Sequence, residues 1–453
     1  MKNIIIRNKE ELLSHGNREL RKIALDIIEY SIKAVNAYEA TKGRIKIEDD
    51  RLVIADLIYD LSKVRNLYVI GGGKASFPIA KALDEILGVR IKQGVINVKR
   101  GEKRRLRYIK VIEAGHPIPD EAGLEGAEEM MKIAEEAEES DLVFCAITGG
   151  ASALMPLPAG DISLEDKKKV TELLLKCGAK INEINAVRNH ISAIKGGKLA
   201  KYIHPAEIIN LIVIDEVAGL PWGPTVPDET TFSDVINVLK KYRLWRKIPI
   251  SVRKYLKEGV ANPSLETLKP KDFKEFKVHN IILADNKLMC KAAKKRAEEL
   301  GFNALILSTK LEGESREAGI VLASIAKEIE EDNQFIKPPC VLILGGETTV
   351  TITGRSGKGG PSQEFVLGAS LEIAESKRIV VASIDTDGTD GPTEVAGGIV
   401  DGFTIQRAKE KNVDVFKNLI KHNAYEVLMK LQDAIITEPT ETNVMDLNIF
   451  VIG

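Results

Sequence analysis

The 453-residue chain has few cysteines and almost no net charge. Its four cysteines include no closely spaced pair, so we predict neither a zinc site nor a disulfide framework. A net charge of −1 provides no long-range field, and we therefore expect no nucleic-acid partner and no membrane partner. No run approaches ~18 uninterrupted apolar residues, which predicts a cytoplasmic protein. Glutamine is scarce beside the many charged residues, a balance that favours a thermophilic source.

What the chain does contain is a regular alternation of strand-like and helix-like patterns. Short apolar runs alternate with segments whose apolar residues recur every three or four positions, which predicts an α/β fold with a parallel sheet. The length exceeds what one hydrophobic core usually serves, so we expect two domains. A lysine-rich stretch with three prolines predicts a connector at 246–277, between domains at 1–245 and 278–453.

Four strand-like runs end in glycine-rich turns, and these turns are the most informative feature of the chain. Glycine lets backbone amides approach a ligand closely, and bare amides in such a turn bind anions such as phosphate. The alternative is an ordinary tight turn, or a helix N-cap made by a hydroxyl. The residues that we predict to bind a nucleotide or phosphate are Gly71, Gly72, Gly73, Ser76, Thr148, Gly149, Gly150, Ser152, Gly345, Gly346, Thr348 and Lys358.

Basic and hydroxyl side chains between 188 and 198 form a second motif. Arg188, Ser192 and Lys195 are three to four residues apart, so on a helix they share one face. A guanidinium group together with a lysine is well suited to a carboxylate or a phosphate. His190 lies in the same segment and joins the predicted substrate-binding set, although a structural role suits it as well. A solvated basic face is the alternative for the whole segment.

Carboxylates gather after two of the glycine-ended runs. Glu347 follows a glycine pair, and Asp385, Asp387 and Asp390 stand within six residues. Acids so closely spaced repel one another unless a cation or a proton intervenes. We predict that Glu347, Asp385 and Asp387 hold Mg²⁺ or another divalent cation, while Asp390 or Asp387 orients an attacking hydroxyl. The alternative is a loop that is merely stabilised by aspartate turns.

Nine ordered blocks of the chain resemble those of a known family. They are 71–76, 113–117, 148–154, 187–200, 223–228, 284–286, 345–360, 386–402 and 442–447. In this order they look like the class II glycerate kinases, the glycerate 2-kinase family with a MOFRL C-terminal half. The resemblance implies ATP-dependent phosphorylation of D-glycerate at its 2-hydroxyl, giving 2-phosphoglycerate and ADP, with a divalent metal ion. It also implies a Rossmann-like N-terminal domain, a second α/β domain with a mixed sheet, and an active site in the cleft between them.

The resemblance assigns the catalytic lysine of this family to Lys74, and we expect Arg188, Asp387 and Asp390 to complete the catalytic set. Glycerate would be the small-molecule partner, and a homodimer is compatible with the sequence. Many family members have Arg-Asn-Gln-Glu where this chain has Pro-Ser-Gln-Glu at 361–364. Because Pro361 replaces the arginine, Arg355 or Lys358 would have to supply that positive charge.

Two other functions compete with a kinase. An NAD(P)H-dependent hydroxypyruvate reductase should carry the dinucleotide fingerprint G-x-G-x-x-G, but Ser76 takes the place of its last glycine. A non-catalytic nucleotide-binding regulatory protein needs fewer carboxylates than the segment 385–390 contains.

Overall fold

The structure is a computed structural model that describes residues 5–101, 104–215, 217, 223–438 and 440–453. The α-helices within these ranges are α1 (Lys9–Leu12), α2 (Arg18–Ala34), α3 (Ala37–Arg44), α4 (Ser76–Leu87), α5 (Glu121–Glu136), α6 (Ala151–Leu154), α7 (Leu164–Lys176), α8 (Ile181–His190), α9 (Lys198–Ile203), α10 (Phe232–Lys241), α11 (Ile250–Ala261), α12 (Asn286–Glu299), α13 (Ser315–Asp332), α14 (Pro361–Glu372), α15 (Thr404–Glu410), α16 (Val415–Ile420) and α17 (Ala424–Leu431). Short 3₁₀ helices occupy Gly88–Arg90, Pro263–Leu265 and Asp272–Glu275.

The strands in the same ranges are β1 (Ile45–Glu48), β2 (Arg51–Ile54), β3 (Leu57–Asp60), β4 (Leu67–Gly72), β5 (Ile91–Lys99), β6 (Lys110–Ala114), β7 (Leu142–Ile147), β8 (Glu207–Val213), β9 (Val278–Ala284), β10 (Asn303–Leu311), β11 (Cys340–Gly346), β12 (Ile379–Asp385), β13 (Gly397–Asp401), β14 (Ala434–Ile435) and β15 (Asp446–Ile452). No helix in the described part of the chain is both long enough and apolar enough to cross a membrane.

The chain forms two compact units. The parallel-sheet unit comprises Ala37–Val213 and Pro221–Leu283, and the mixed-sheet unit comprises Met1–Asn36, Ile214–Leu220 and Ala284–Gly453. This grouping differs from the predicted boundaries at 245 and 278. The N-terminal helices belong with the C-terminal half because α2 packs on α12 and β15. The predicted connector is also folded, since α11 buries Val252 and Leu256 in the core of the parallel-sheet unit.

The larger sheet of the parallel-sheet unit has the strand order β6-β5-β4-β7-β8-β9. Counted from β4, this is the order 3-2-1-4-5-6 of a Rossmann fold, so the predicted fold class is confirmed. Every residue of β4 and of β7 is buried, as expected of central parallel strands covered on both faces. From β4 the chain adds β5 and β6 on one side of the sheet, and it then adds β7, β8 and β9 on the other side. Ligands of open α/β sheets bind beyond the carboxyl ends of the strands at such a switch point.

The mixed-sheet unit contains a sheet with the order β10-β11-β15-β12-β13-β14. Strand β10 pairs in parallel with β11, and the other neighbours are antiparallel, so the expected mixed sheet is confirmed. The last strand of the chain, β15, lies in the middle of this sheet. Its first residue, Asp446, stands opposite Gly346 on one side and Asp385 on the other. The antiparallel register therefore brings the ends of β11 and β12 to the start of β15.

A buried ion network holds α2 in the mixed-sheet unit. The Nε of Arg21 lies 2.6 Å from Asp401 Oδ2, and its Nη1 lies 2.8 Å from Asp433 Oδ1. All three side chains are fully buried, so neither carboxylate has water to replace a lost partner. Removing one member of such a network leaves an uncompensated buried charge.

We expect Arg21→Met to lower the free energy of unfolding by about 3–5 kcal/mol, because Asp401 and Asp433 keep their burial but lose a cation. Urea denaturation followed by circular dichroism measures the change. Arg18→Met, on the exposed side of the same helix, is the matched control and should change the free energy by less than about 0.5 kcal/mol. Losses of equal size in the two variants would contradict the proposed importance of the network.

Candidate functional site

Two of the predicted glycine turns lie side by side at the switch point of the parallel sheet. The backbone amide of Lys74 donates to the carbonyl of Gly149 at 2.7 Å, and the amide of Thr148 donates to Gly72 at 3.2 Å. The hydroxyl of Thr148 also accepts a hydrogen bond from the amide of Ala75 at 3.0 Å. The turns that follow β4 and β7 are therefore joined into one structure, which the sequence motifs alone do not reveal.

The polar groups of the first turn form hydrogen bonds within the protein. A Cβ atom at Gly71 would overlap the carbonyl of Ala146, and one at Gly73 would overlap Thr148, so close packing explains both glycines. The amide of Gly73 donates to Asn97, and Gly72 pairs within the sheet. These amides form hydrogen bonds within the protein, which favours a framework role over their predicted use for phosphate. Likewise, the buried hydroxyl of Ser76 donates to the Ala146 carbonyl at 2.8 Å, so it and Thr148 fit a supporting role better than a ligand-binding one.

The second turn keeps groups available for an anion. Among the described residues, no group accepts a hydrogen bond from the amides of Gly149 or Gly150. Gly150 is left-handed, with φ of 87°, and a Cβ there would lie 3.0 Å from His116 Nε2 and 3.4 Å from Lys74 Cγ. Lys74 and His116 therefore flank this turn.

The basic segment lies next to the second turn. The Nζ of Lys195 donates to the hydroxyl of Ser152 at 2.5 Å, and Lys195 is 5% exposed. Arg188 lies in the last turn of α8 and is half-buried, and this burial lowers the pKa of its guanidinium. The predicted cations Arg188 and Lys195 are thus both in the parallel-sheet unit with Lys74 and Ser152.

Two lysines join these cations. Lys167 on α7 is 5% exposed, and its pKa lies well below the usual range because of burial and then the charges of Lys195, Lys198 and Arg188. Burial also lowers the pKa of Lys198 to about 8. We call Lys167, Arg188, Lys195 and Lys198 the cationic cluster. Lys167 was missed in the sequence, although its three-residue spacing from the buried Leu164 and Val170 places it on the apolar face of α7.

His190 and Ser192, predicted to bind substrate, instead support the loop between α8 and α9. The ring of His190 is fully buried, with Nδ1 2.8 Å from the Ala186 carbonyl and Nε2 2.8 Å from Glu266. The hydroxyl of Ser192 donates to the carbonyl of Leu157 at 3.0 Å and is also buried. Both side chains are therefore better placed to hold the cations in position than to contact a ligand.

The acidic residues gather at one edge of the sheet in the mixed-sheet unit. The structure adds Asp446, which is 4% exposed and whose Oδ2 atom has no hydrogen-bond partner within the described residues. Its pKa is raised well above the usual range by burial and then by the charges of Asp385, Asp390 and Glu347. We call Glu347, Asp385, Asp387 and Asp446 the acidic cluster. A buried carboxylate oxygen without a partner beside other acids has the chemistry of a cation ligand.

Asp390 differs from its neighbours because it is 1% exposed. Its carboxylate accepts hydrogen bonds from the amides of Ser362 and Gln363 at 3.1 and 2.9 Å, and so holds the first turn of α14. Burial raises the pKa of Asp390 to about 7. A positioning role fits this geometry better than the predicted contact with an attacking hydroxyl. Asp385 and Asp387 are only half-buried, and the amide of Asp387 donates to Asp385 in an aspartate turn.

The glycines after β11 are also explained by packing. A Cβ at Gly345 would overlap the Asn286 side chain, and one at Gly346 would overlap the backbone of Leu311. Thr348 is buried, and its hydroxyl accepts a hydrogen bond from Ser315 at 2.8 Å. These contacts favour a framework role over the predicted phosphate contact.

Lys358, also predicted to bind phosphate, contacts neighbouring side chains of the mixed-sheet unit. Its Nζ lies 3.1 Å from Glu394 Oε2 and 4.3 Å from the ring centroid of Tyr425. The cation that replaces the family's usual arginine at Pro361 is therefore better sought in Arg355, which is exposed.

No three His, Cys, Asp or Glu side chains within the described ranges are grouped as a ready-made metal site. The acidic cluster still fits Mg²⁺, because this ion usually takes only one or two carboxylates and completes its shell with water and phosphate oxygens. The orphaned Oδ2 of Asp446 is the observation that favours this assignment.

Comparisons with known proteins cover nearly the whole chain. Residues 23–257 match a domain of unknown function, DUF4147, and residues 340–446 match the MOFRL family. The chain is 46% identical to the glycerate 2-kinase of Pyrococcus horikoshii and 36% identical to the D-glycerate 2-kinase of Thermotoga maritima, in each case over 96% of this chain and 98% of the relative. A crystal structure of glycerate kinase from Thermotoga maritima matches with a TM-score of 0.83 and 36% identity, over 96% of this chain and 100% of that one. The chain therefore belongs to the glycerate kinase family whose C-terminal half is the MOFRL domain.

Proposed function

We propose that this chain is a phosphotransferase that transfers the γ-phosphoryl group of ATP to the 2-hydroxyl of D-glycerate and releases 2-phosphoglycerate and ADP. The names of its full-length relatives support the substrate and the reaction. The observation that carries the proposal is the second glycine turn at the switch point, where Lys74 flanks Gly150 and Lys195 reaches Ser152. A phosphoryl-transfer site needs such positioning and charge neutralisation more than covalent chemistry.

In the parallel-sheet unit, the amides of Gly149 and Gly150 and the ammonium group of Lys74 bind the transferring phosphate. Lysine acts there as a mobile point charge, and backbone dipoles provide a fixed one. Arg188 and Lys195 bind the carboxylate of glycerate, which leaves its 2-hydroxyl facing the phosphate. In-line attack by this hydroxyl oxygen breaks the bond between the γ-phosphorus and the bridging oxygen of ADP.

In the mixed-sheet unit, the acidic cluster is the proposed binding site for Mg²⁺. The ion supplies neutralisation of the negative charge on the ATP phosphates. One member of the cluster, Asp387 or alternatively Asp385, does not bind the ion and instead accepts the proton of the attacking hydroxyl, since both are more exposed than Asp390 and Asp446. That one ligand reaches residues of both units stays a prediction.

The reductase alternative is disfavoured by the position of Ser76. The last glycine of a dinucleotide fingerprint permits close packing of helix and strand. Here the Ser76 hydroxyl is itself part of that packing, through its hydrogen bond to Ala146.

Phosphorus NMR of a reaction with D-glycerate, ATP and MgCl₂ tests the proposed activity directly. We expect signals of 2-phosphoglycerate and ADP to grow together, and chelation of the metal with EDTA to stop both. A 3-phosphoglycerate signal would contradict the assignment of the 2-hydroxyl. Oxidation of NADH with hydroxypyruvate, in the absence of any phosphorylated product, would favour the reductase instead.

Lys74→Met should lower kcat by about a hundredfold or more, because a charge that stabilises the transferring phosphate is lost while the turn keeps its backbone bonds. The coupled assay for ADP measures the rate, and circular dichroism checks that the fold is intact. Lys81→Met is the control, since Lys81 lies on the exposed side of α4 and stacks on Tyr38. Near-normal turnover of the Lys74 variant would refute its catalytic role.

A further inference from the structure

Asn286 is a buried polar side chain that the mechanism above does not use. It is the first residue of α12 and is 3% exposed. Its side-chain amide donates to two main-chain carbonyls, that of Val444 at 2.8 Å and that of Asp446 at 3.0 Å. These acceptors are 158 and 160 residues away in the sequence. The amide therefore joins the start of α12 to the start of β15.

Thr386, which follows β12, holds the same segment. Its hydroxyl accepts a hydrogen bond from the amide of Val444 at 2.9 Å and donates to the carbonyl of Met445 at 2.7 Å. We call the side chains of Asn286 and Thr386 the polar clamp. Together they bind the main-chain groups of the three consecutive residues 444–446.

The segment that the clamp holds has an unfavourable backbone conformation. Met445 is in the left-handed region, with φ of 67°, and a residue other than glycine adopts this region at a cost in free energy. Such a conformation persists where the surrounding structure fixes it, and it is found most often at functional sites. The hydrogen bonds of the clamp supply this constraint.

The residue directly after Met445 is Asp446, the buried member of the acidic cluster. Its Oδ2 atom has no hydrogen-bond partner within the described residues. The backbone at 444–446 decides where this carboxylate points, so the clamp acts on its orientation. In metal sites, groups that hydrogen-bond around a ligand fix the ligand's orientation and raise the affinity for the ion.

We propose that Asn286 is a positioning residue for the divalent cation, because with Thr386 it fixes the backbone from which Asp446 presents its carboxylate. This proposal rests on the proposed function, which assigns Mg²⁺ to the acidic cluster. Asn286 does not bind the ion itself. Its amide group faces two carbonyls, and its Oδ1 accepts a hydrogen bond from the Cys290 thiol at 3.4 Å.

Titration of the full chain with MnCl₂ tests the proposal without turnover, because Mn²⁺ takes the same kind of oxygen ligands as Mg²⁺. Electron paramagnetic resonance measures the free ion. We expect Asn286→Ala to weaken Mn²⁺ binding by about tenfold to a hundredfold, the usual effect of losing a group that orients a metal ligand. Asp446→Asn should abolish the same binding. An unchanged affinity in Asn286→Ala, binding that survives in Asp446→Asn, or no binding to the unaltered chain would each overturn the proposal.

Ser383→Ala is the matched control, because it also removes a buried hydrogen bond to β15. The Ser383 hydroxyl donates to Asn448 Oδ1 at 2.6 Å, two residues beyond Asp446. Both this variant and Asn286→Ala should lower the Tm, but the control should keep its Mn²⁺ affinity within about twofold, since it leaves the clamp intact. Equal weakening in the two variants would indicate a general loosening of the sheet and would contradict a positioning role.

Thr386→Val is the second variant, for use if Asn286→Ala does not fold. Valine has nearly the same shape as threonine but lacks the hydroxyl that binds Val444 and Met445. Its Mn²⁺ affinity should fall in the same way, and an unchanged affinity would count against the clamp.

Steady-state kinetics separates the ion from the substrate. In Asn286→Ala, the Mg²⁺ concentration for half-maximal rate should rise by about tenfold or more, while the KM for D-glycerate stays within about twofold. The reason is that the carboxylate of glycerate is assigned to cations of the other unit. Equal increases in both constants would contradict the proposal.

This proposal and the proposed function fail in different ways. A chain that binds Mn²⁺ through Asn286 and Asp446 but forms no ADP would refute the kinase activity and leave the clamp standing. A chain that phosphorylates D-glycerate and keeps its Mn²⁺ affinity when Asn286 is replaced would retain the activity and refute the clamp.

Discussion

The parallel pairing of β4 with β7 is the constraint on which the candidate site depends. Gly71 lies opposite Ala146, and Gly72 lies opposite Ile147, so the two strands end at the same level. The missing side chain at Gly71 is what permits this approach, because a Cβ there would overlap the Ala146 carbonyl. The first turn gives the amides of Lys74 and Ala75 to the second, whereas the amides of Gly149 and Gly150 make no hydrogen bond within the described part of the chain. We propose that the first turn supports the site and that the second binds the ligand.

Each unit also buries one charged group among charges of the same sign. Lys167 is surrounded by cations in the parallel-sheet unit, and Asp446 is surrounded by acids in the mixed-sheet unit. Both arrangements weaken the folded state, since burial and like-charge repulsion act in the same direction. Groups of this kind are concentrated at functional sites. A phosphorylated nucleotide with its cation, and a small carboxylic acid, together carry both kinds of charge.

The sequence predicts the architecture well and the roles of individual polar groups poorly. The α/β class and the glycine turns follow from local patterns, which the chain shows plainly. The amides of Gly73 and Lys74 donate to the carbonyls of Asn97 and Gly149. These partners are distant in sequence, so the sequence alone does not reveal the hydrogen bonds. Asp446 was missed for the same reason: it looks like an ordinary polar residue before a strand, and only the register with Asp385 makes it part of an acidic group. The three-residue spacing of Lys167 from Leu164 and Val170 is a weak sign that it faces inward, but the adjacent lysines make the segment look like an exposed basic surface.

The central place of β15 affects how the protein can be made. This strand follows β11 and β12 in the chain, yet it lies between them, and α2, which precedes both, packs against it. The sheet of the mixed-sheet unit therefore cannot be completed until β15 has been synthesised, and its two half-sheets lack their central partner until then. The parallel-sheet unit has all its strands by Ala284 and is able to fold earlier. Removal of β15 would accordingly take out the middle of a sheet rather than its edge.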